Sequence, residues 1–228
     1  MDQIADGIFR WTTPHPEYRT RVERVGSYAL ADEDMLALVD PLLPAEGDAV
    51  REAILGRLDD LVLQSACVEI LVTIPYHTRS AEALYRRYAP RLPTRLWGHE
   101  NVRTRLREEG TRLEVIPRGA VGEASRIAGG RVLTYAIGRP RRSEYPLYFP
   151  HHRALAFGDA VVGMGKGLRM WRMSSAGPEW YREVFVPTLR PLLDHDIAHV
   201  LVTHGPPALG DGRRALEECL AADPVTMY

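Results

Sequence analysis

Val68-Glu69-Ile70-Leu71-Val72-Thr73-Ile74-Pro75-Tyr76-His77-Thr78-Arg79-Ser80 sets the frame for everything around it. Its first half is rich in β-branched residues and has no interior Gly or Pro, the pattern of a strand buried within a sheet. Pro75 ends it, because proline cannot donate to a sheet ladder and holds Ile74 extended. Ser80 is the expected N-cap of a helix that begins at Ala81-Glu82-Ala83-Leu84. The loop between a buried strand and the next helix is where α/β proteins place their chemistry.

Outward from that stretch, the chain begins with β-rich sequence and then alternates. Glu46 to Leu61 places Val50, Ala53, Ile54, Leu58 and Leu61 at helical spacing, with Asp48 near the first turn. After the helix from Ser80 to about Tyr88, a short strand is expected around Thr94 to Trp97, and a charged helix from Asn101 to Glu109, ended by Gly110. Arg112 to Ile116, Arg131 to Ile137, Tyr145 to Phe149 and Arg153 to Phe157 read as strands, the last two joined by a hairpin at Pro150-His151-His152. Glu179 to Asp194 contains Pro187 and Pro191, so it should kink or split into two short helices. His199 to Thr203 is the final strand and Asp211 to Ala222 the final helix, with Ala215, Leu216, Cys219 and Leu220 facing in. Two halves, each β then helix, predict an α/β protein built as a four-layer αββα sandwich, one domain over residues 1–228.

Composition narrows the function classes. Hydrophobic residues at 45% and charged residues at 26% are ordinary for a globular protein with a full core. A net charge of -1 gives no global field for nucleic acid or an anionic membrane, so neither is an expected partner. Lys166 is the only lysine among 29 basic residues, a bias that fits coding composition or selection for bidentate anion binding. Cys67 and Cys219 are expected as buried, reduced thiols. Met1 to Asp6 carries no basic region or apolar leader, so a cytoplasmic location is expected. Trp11, Trp97, Trp171 and Trp180 read as core or interface, since no basic stripe interleaves with them. His195 and His199 flank a helix end, where a cationic imidazole favours the last carbonyls. There is no Gly-x-Ser-x-Gly elbow and no context for a catalytic cysteine.

The Val72-Thr73 strand end and the loop after it resemble the metallo-β-lactamase fold superfamily, in its hydroxyacylglutathione hydrolase-like branch. Members carry His-x-His-x-Asp-His at this point, where the present chain has Ile74-Pro75-Tyr76-His77-Thr78-Arg79. The opening segments Asp6-Gly7-Ile8-Phe9-Arg10, Val25 to Leu30 and Met35 to Pro41 resemble the family's first strands, including the acidic residue, Asp40, that closes the third. Gly158-Asp159-Ala160 resembles the Gly-Asp segment whose Asp bridges two metals. Val200-Leu201-Val202-Thr203-His204-Gly205 resembles the last ligand loop. Gly138-Arg139-Pro140 stands where the family has Gly-His, with Arg139 in the His position. The resemblance covers nearly the whole chain and implies the same four-layer fold.

The same alignment removes most of the metal site. Ile74, Tyr76, Thr78 and Arg79 fall on the four ligand positions, and none is an ordinary zinc ligand. Asp159 and His204 remain as vestigial ligands, and two groups do not close a site that needs three plus water. The leading expectation is therefore a protein with a degenerate site and no metal cofactor, without dinuclear hydrolase activity. Arg79 and Arg139 would then neutralise the buried Asp159. Tyr76, His77, Arg79, Arg139 and Lys166 would bind a small anion, with Arg141 and Arg142 read as a solvated loop. Such a protein would serve in ligand or partner binding, with a homodimer through exposed aromatics such as Trp171 as one form. The alternative is a divergent hydrolase of a thioester, ester or phosphoester. It requires His77, one position from a ligand slot, to join Asp159 and His204 around zinc, manganese or iron.

Overall fold

The structure is a computed structural model that describes residues 1–15, 24–138, 143–165, 167–172 and 176–226. Arg139, Arg141, Arg142 and Lys166, and the anion site drawn from them, lie outside these residues. The chain divides into two compact units, Met1–Val115 and Ile116–Tyr228.

The first unit is built on a mixed sheet whose seven strands pair in chain order. They are β1 (Asp2–Ala5), β2 (Ile8–Pro14), β3 (Arg24–Asp32), β4 (Met35–Val39), β5 (Cys67–Leu71), β6 (Thr94–Gly98) and β7 (Leu113–Val115). β1 to β4 run antiparallel, and β3 and β4 are joined by a tight turn at Glu33, where φ is 43°. β4 to β7 run parallel, so each step needs a crossover, supplied in turn by the helices Ala49–Val62 and Ala81–Tyr88 and the 3-10 helix Glu100–Arg105. The first helix is capped by Asp48, whose carboxylate accepts from Val50 N at 2.8 Å. It buries Ile54, Leu55, Leu58, Leu61 and Val62 against Leu36, Leu38, Val68 and Ile70 of the sheet.

Several expectations are corrected here. Val50 and Ala53 are exposed, and Leu55 and Val62 complete the helix's buried face instead. Ser80 stands at the N-cap position but does not cap, because its hydroxyl accepts from Leu43 N at 2.9 Å. The helix expected over Asn101 to Glu109 is a shorter 3-10 helix ending at Arg105. Glu82, on the preceding helix, accepts the N–H groups of Arg107 and Glu108 at 2.9 Å each, and those donors would otherwise have continued the helix. Cys67 is half-buried rather than buried.

The second unit carries a six-stranded mixed sheet in the order β15-β14-β11-β10-β9-β8. These strands are β8 (Ala124–Ile127), β9 (Val132–Tyr135), β10 (Leu147–Phe149), β11 (Ala154–Phe157), β14 (His199–Val202) and β15 (Ala208–Leu209). β10 and β11 form the expected hairpin, and β11 pairs in parallel with β14. A separate antiparallel pair, β12 (Val161–Met164) and β13 (Gly167–Met170), follows the Gly-Asp segment. The Pro-containing stretch is more broken than expected, in four pieces from Pro178 to Asp194 with a π-helical turn at Tyr181–Phe185. Pro187 and Pro191 bring no N–H to the carbonyls four residues back, so no regular α-ladder can run through. The last helix, Gly212–Ala221, buries Leu216, Cys219 and Leu220 as expected. His195 does not face helix carbonyls. Its ring stacks on Tyr148 at 4.1 Å and its Nε2 meets the Tyr135 hydroxyl.

The fold is thus α/β, with two mixed sheets flanked by helices. In each unit the parallel strand pairs end at a loop carrying candidate site residues: Asp40 and Thr73 to His77 after β4 and β5, and Asp159 and His204 after β11 and β14. No helix among the described residues is long and apolar enough to cross a membrane.

Candidate metal centre

In the first unit the chemistry starts at Asp40. The parallel pairing of β4 with β5 continues one step past the strands, with Asp40 N donating to Leu71 O at 3.0 Å. The chain then turns sharply, with Asp40 at φ 46°, and the carboxylate is buried. Its Oδ1 accepts Thr73 N at 2.8 Å, and its Oδ2 accepts the Thr73 hydroxyl and faces His77 Nδ1 at 2.8 Å. That contact fixes the imidazole as a tautomer protonated on Nδ1, which puts the lone pair on Nε2, the ring nitrogen suited to a metal.

His77 reaches Asp40 because the chain after Ile74 folds into a single 3-10 turn, Pro75–His77, closed by His77 N to Ile74 O at 2.8 Å. Pro75 suits the first position of that turn, where no N–H is needed. The turn separates two neighbours: His77 is 4% exposed and Tyr76 is 51% exposed. Arg79, at φ 40°, directs Nη1 to the backbone oxygen of Asp40 at 3.4 Å.

In the second unit Asp159 and His204 are both buried, with His204 Nε2 3.2 Å from Asp159 Oδ1. The Asp159 turn is held by Glu144, a buried carboxylate that accepts from Gly158 N at 3.0 Å, Asp159 N at 3.2 Å and Ala160 N at 3.0 Å. The His204 loop is held by Gly163, whose N–H donates to His204 O at 2.7 Å. No side chain fits at that approach: a Cβ on Gly163 would lie 2.0 Å from Pro206 O. Gly205 adds φ +78°, a conformation that favours glycine. The Trp171 ring meets the His204 ring edge-on at 5.0 Å, so Trp171 is half-buried rather than an exposed aromatic.

His77, Asp159 and His204 are all buried, and they are a group of side chains that could hold a metal ion. Two imidazoles and one carboxylate are a donor set that suits zinc, iron or manganese, and three protein ligands leave a position for water or substrate. The other aligned positions of the loop, Ile74, Tyr76 and Thr78, bring no ligand for a second ion. Tyr76 turns outward and carries the Arg105 guanidinium 4.2 Å from its ring centroid. Three supporting residues escaped the sequence reading. Glu144 and Thr73 carry no local signal of their roles, and Trp171 reads only as a core or interface aromatic. Only Asp40 was marked in advance, by its place at the end of β4.

No protein-family model matches the chain, and no curated protein matches it in sequence. Solved structures do match along its full length. A metallo-β-lactamase from Erythrobacter litoralis, with beta-mercaptoethanol in its active site, superposes with a TM-score of 0.67 at 16% identity over 96% of this chain and 95% of that one. A metallo-β-lactamase from Hirschia baltica gives 0.65 at 15% identity over 96% and 95%. The metallo-β-lactamase from Pontibacter korlensis gives 0.63 at 15% identity over 97% and 98%.

Proposed function

The chain has the metallo-β-lactamase fold, and from that premise we propose that it is a hydrolase dependent on a single metal ion held by His77, Asp159 and His204. The observation that carries this reading is the buried group itself, together with the Asp40 carboxylate that sets the tautomer of His77. A bound ion would supply Lewis acidity towards a carbonyl or phosphoryl oxygen and lower the pKa of a water at the same centre. The chain's own residues do the rest. Asp40 keeps the proton on His77 Nδ1, and Glu144 and Gly163 fix the backbone that presents Asp159 and His204. A dinuclear site does not fit the donors of the His77 loop, so the reading is of one ion and an ester, thioester or phosphoester substrate.

Metal content per chain, measured by plasma mass spectrometry after expression with zinc, manganese and iron and gentle desalting, tests the reading. About one metal per chain is expected, falling well below that in His204→Ala and in His77→Ala, with hydrolysis of a 4-nitrophenyl ester lost in step. Metal far below one per chain in the wild type overturns it. That outcome would favour a metal-free anion- or partner-binding protein in which Arg79 and Arg139 neutralise Asp159.

A further inference from the structure

Beside the candidate centre, the first unit holds a cation with an unusual setting. Arg105 is the last residue of the 3-10 helix Glu100–Arg105, and its backbone is fixed from both sides. Upstream, Asn101 N donates to His99 Nδ1 at 3.0 Å and Val102 is buried against the end of β6. That packing is close enough for a Cβ on Gly98 to lie 2.8 Å from Val102 Cγ2. Downstream, Glu82 takes the N–H groups of Arg107 and Glu108.

From this fixed base the Arg105 side chain lies over the Tyr76 ring, 4.2 Å from its centroid. Several other arginines of the unit have carboxylates, Arg86 with Glu108, Arg87 and Arg91 with Asp59, and Arg95 with Glu69, and none of these lies on the 3-10 helix of Arg105. Among the described residues Arg105 makes no ion pair; its guanidinium is exposed and held by an aromatic face. Tyr76 precedes His77 in the same 3-10 turn, Pro75–His77, so the ring that holds this cation belongs to the segment that carries the residue offered as a metal ligand.

Stacking on a ring uses the face of a guanidinium and leaves its edge N–H groups in a fork suited to a carboxylate. Holding the cation in place beforehand also lowers the entropy lost when it binds. One guanidinium balances one carboxylate, whereas a phosphate dianion calls for more positive charge than this single group brings. We propose that Arg105, held by Tyr76, receives a carboxylate on the substrate, which makes the substrate class a carboxylate-bearing ester or thioester. This inference rests on the hydrolase reading for the word substrate, but the carboxylate site can be tested apart from it.

The experiment compares wild type with Arg105→Gln, Tyr76→Leu and Tyr76→Phe. Succinate binding is measured by calorimetry, and kcat/KM for mono-4-nitrophenyl succinate is compared with that for 4-nitrophenyl acetate. Arg105→Gln should weaken succinate about 10- to 100-fold, the range for a charged hydrogen-bonded pair, and lower the succinate-to-acetate ratio of kcat/KM as much. Tyr76→Leu should give a smaller loss, and Tyr76→Phe, which keeps the ring face, should behave as wild type. Succinate that binds wild type and Arg105→Gln equally, or does not bind wild type, overturns the proposal. If neither ester is hydrolysed yet succinate binding still depends on Arg105, the hydrolase reading fails and the carboxylate site stands.

Discussion

Asp40 shows how much one residue can organise. Its two oxygens take the Thr73 N–H, the Thr73 hydroxyl and the His77 ring, so a strand end, a loop and an imidazole share one buried charge. The sequence marked Asp40 by position only, because hydrogen bonds across 33 or more residues leave no local trace. His195 shows the same limit in another way. Read as a helix-end cation, it is instead a half-buried ring whose burial holds its pKa below the ordinary histidine value, with Asp194 acting weakly the other way. Burial, and then Arg153, lower His199 likewise. A folded pKa below the unfolded one favours the neutral ring. The contribution is complete above about pH 6.5 and is lost as pH falls through the folded value. Melting temperature should therefore drop as pH falls from about 6.5 towards 5. The drop should shrink in His195→Gln, which keeps an acceptor for the Tyr135 hydroxyl without titrating. An equal drop in both proteins would assign the acid sensitivity to other groups.

At the scale of elements, what was legible followed from local periodicity. The buried strand through Ile70 and the β10–β11 hairpin depend on neighbours in sequence and came out as read, and the first helix did so apart from its start and two positions of its buried face. The misread pieces depend on partners far away. The helix after His99 stops where Glu82 takes its N–H groups, and Glu69, fully buried inside β5, is tolerated because Arg95 and the Trp97 Nε1–H pair with it. Glu144 is the clearest case, since one carboxylate stands in for the ladder partners that three consecutive N–H groups lack. Removing it strands buried donors at about 1–3 kcal/mol each. Glu144→Ala should thus lose about 3 kcal/mol or more, which for a chain of this size is a melting shift of about 6–12 °C. Glu144→Gln, which keeps one acceptor oxygen, should lose less. Equal melting of Glu144→Ala and wild type by calorimetry would show that the Asp159 turn does not need this support.

For the molecule as a whole, identity at 10–17% with the matched structures leaves the fold written in pattern rather than in residues. Alternating apolar strands, glycines at close approaches and acidic residues at strand ends survive substitution, and through them the architecture was readable. Of the candidate group, Asp159 and His204 stand on positions that the resemblance implies as ligands, while His77 could be reached only as an alternative one position from such a slot, because the 3-10 turn that sets its direction leaves no local signal. A metal that binds the folded chain and not the unfolded one stabilises the fold by mass action. At free metal 100 times its dissociation constant the gain is about 2.7 kcal/mol, or about 5–11 °C in melting temperature for a protein of this length. Zinc, manganese or iron should therefore raise the melting temperature of protein stripped with a chelator, most for the ion found after expression, and His204→Ala should abolish the rise. The metal-free alternative gives a different pattern, with no response to any of the three ions and a large fall in melting temperature for Arg79→Ala, because the buried carboxylate would then lose its counter-charge. The two patterns exclude each other, so a single set of melting curves decides between a metal-free protein and one that holds a single ion.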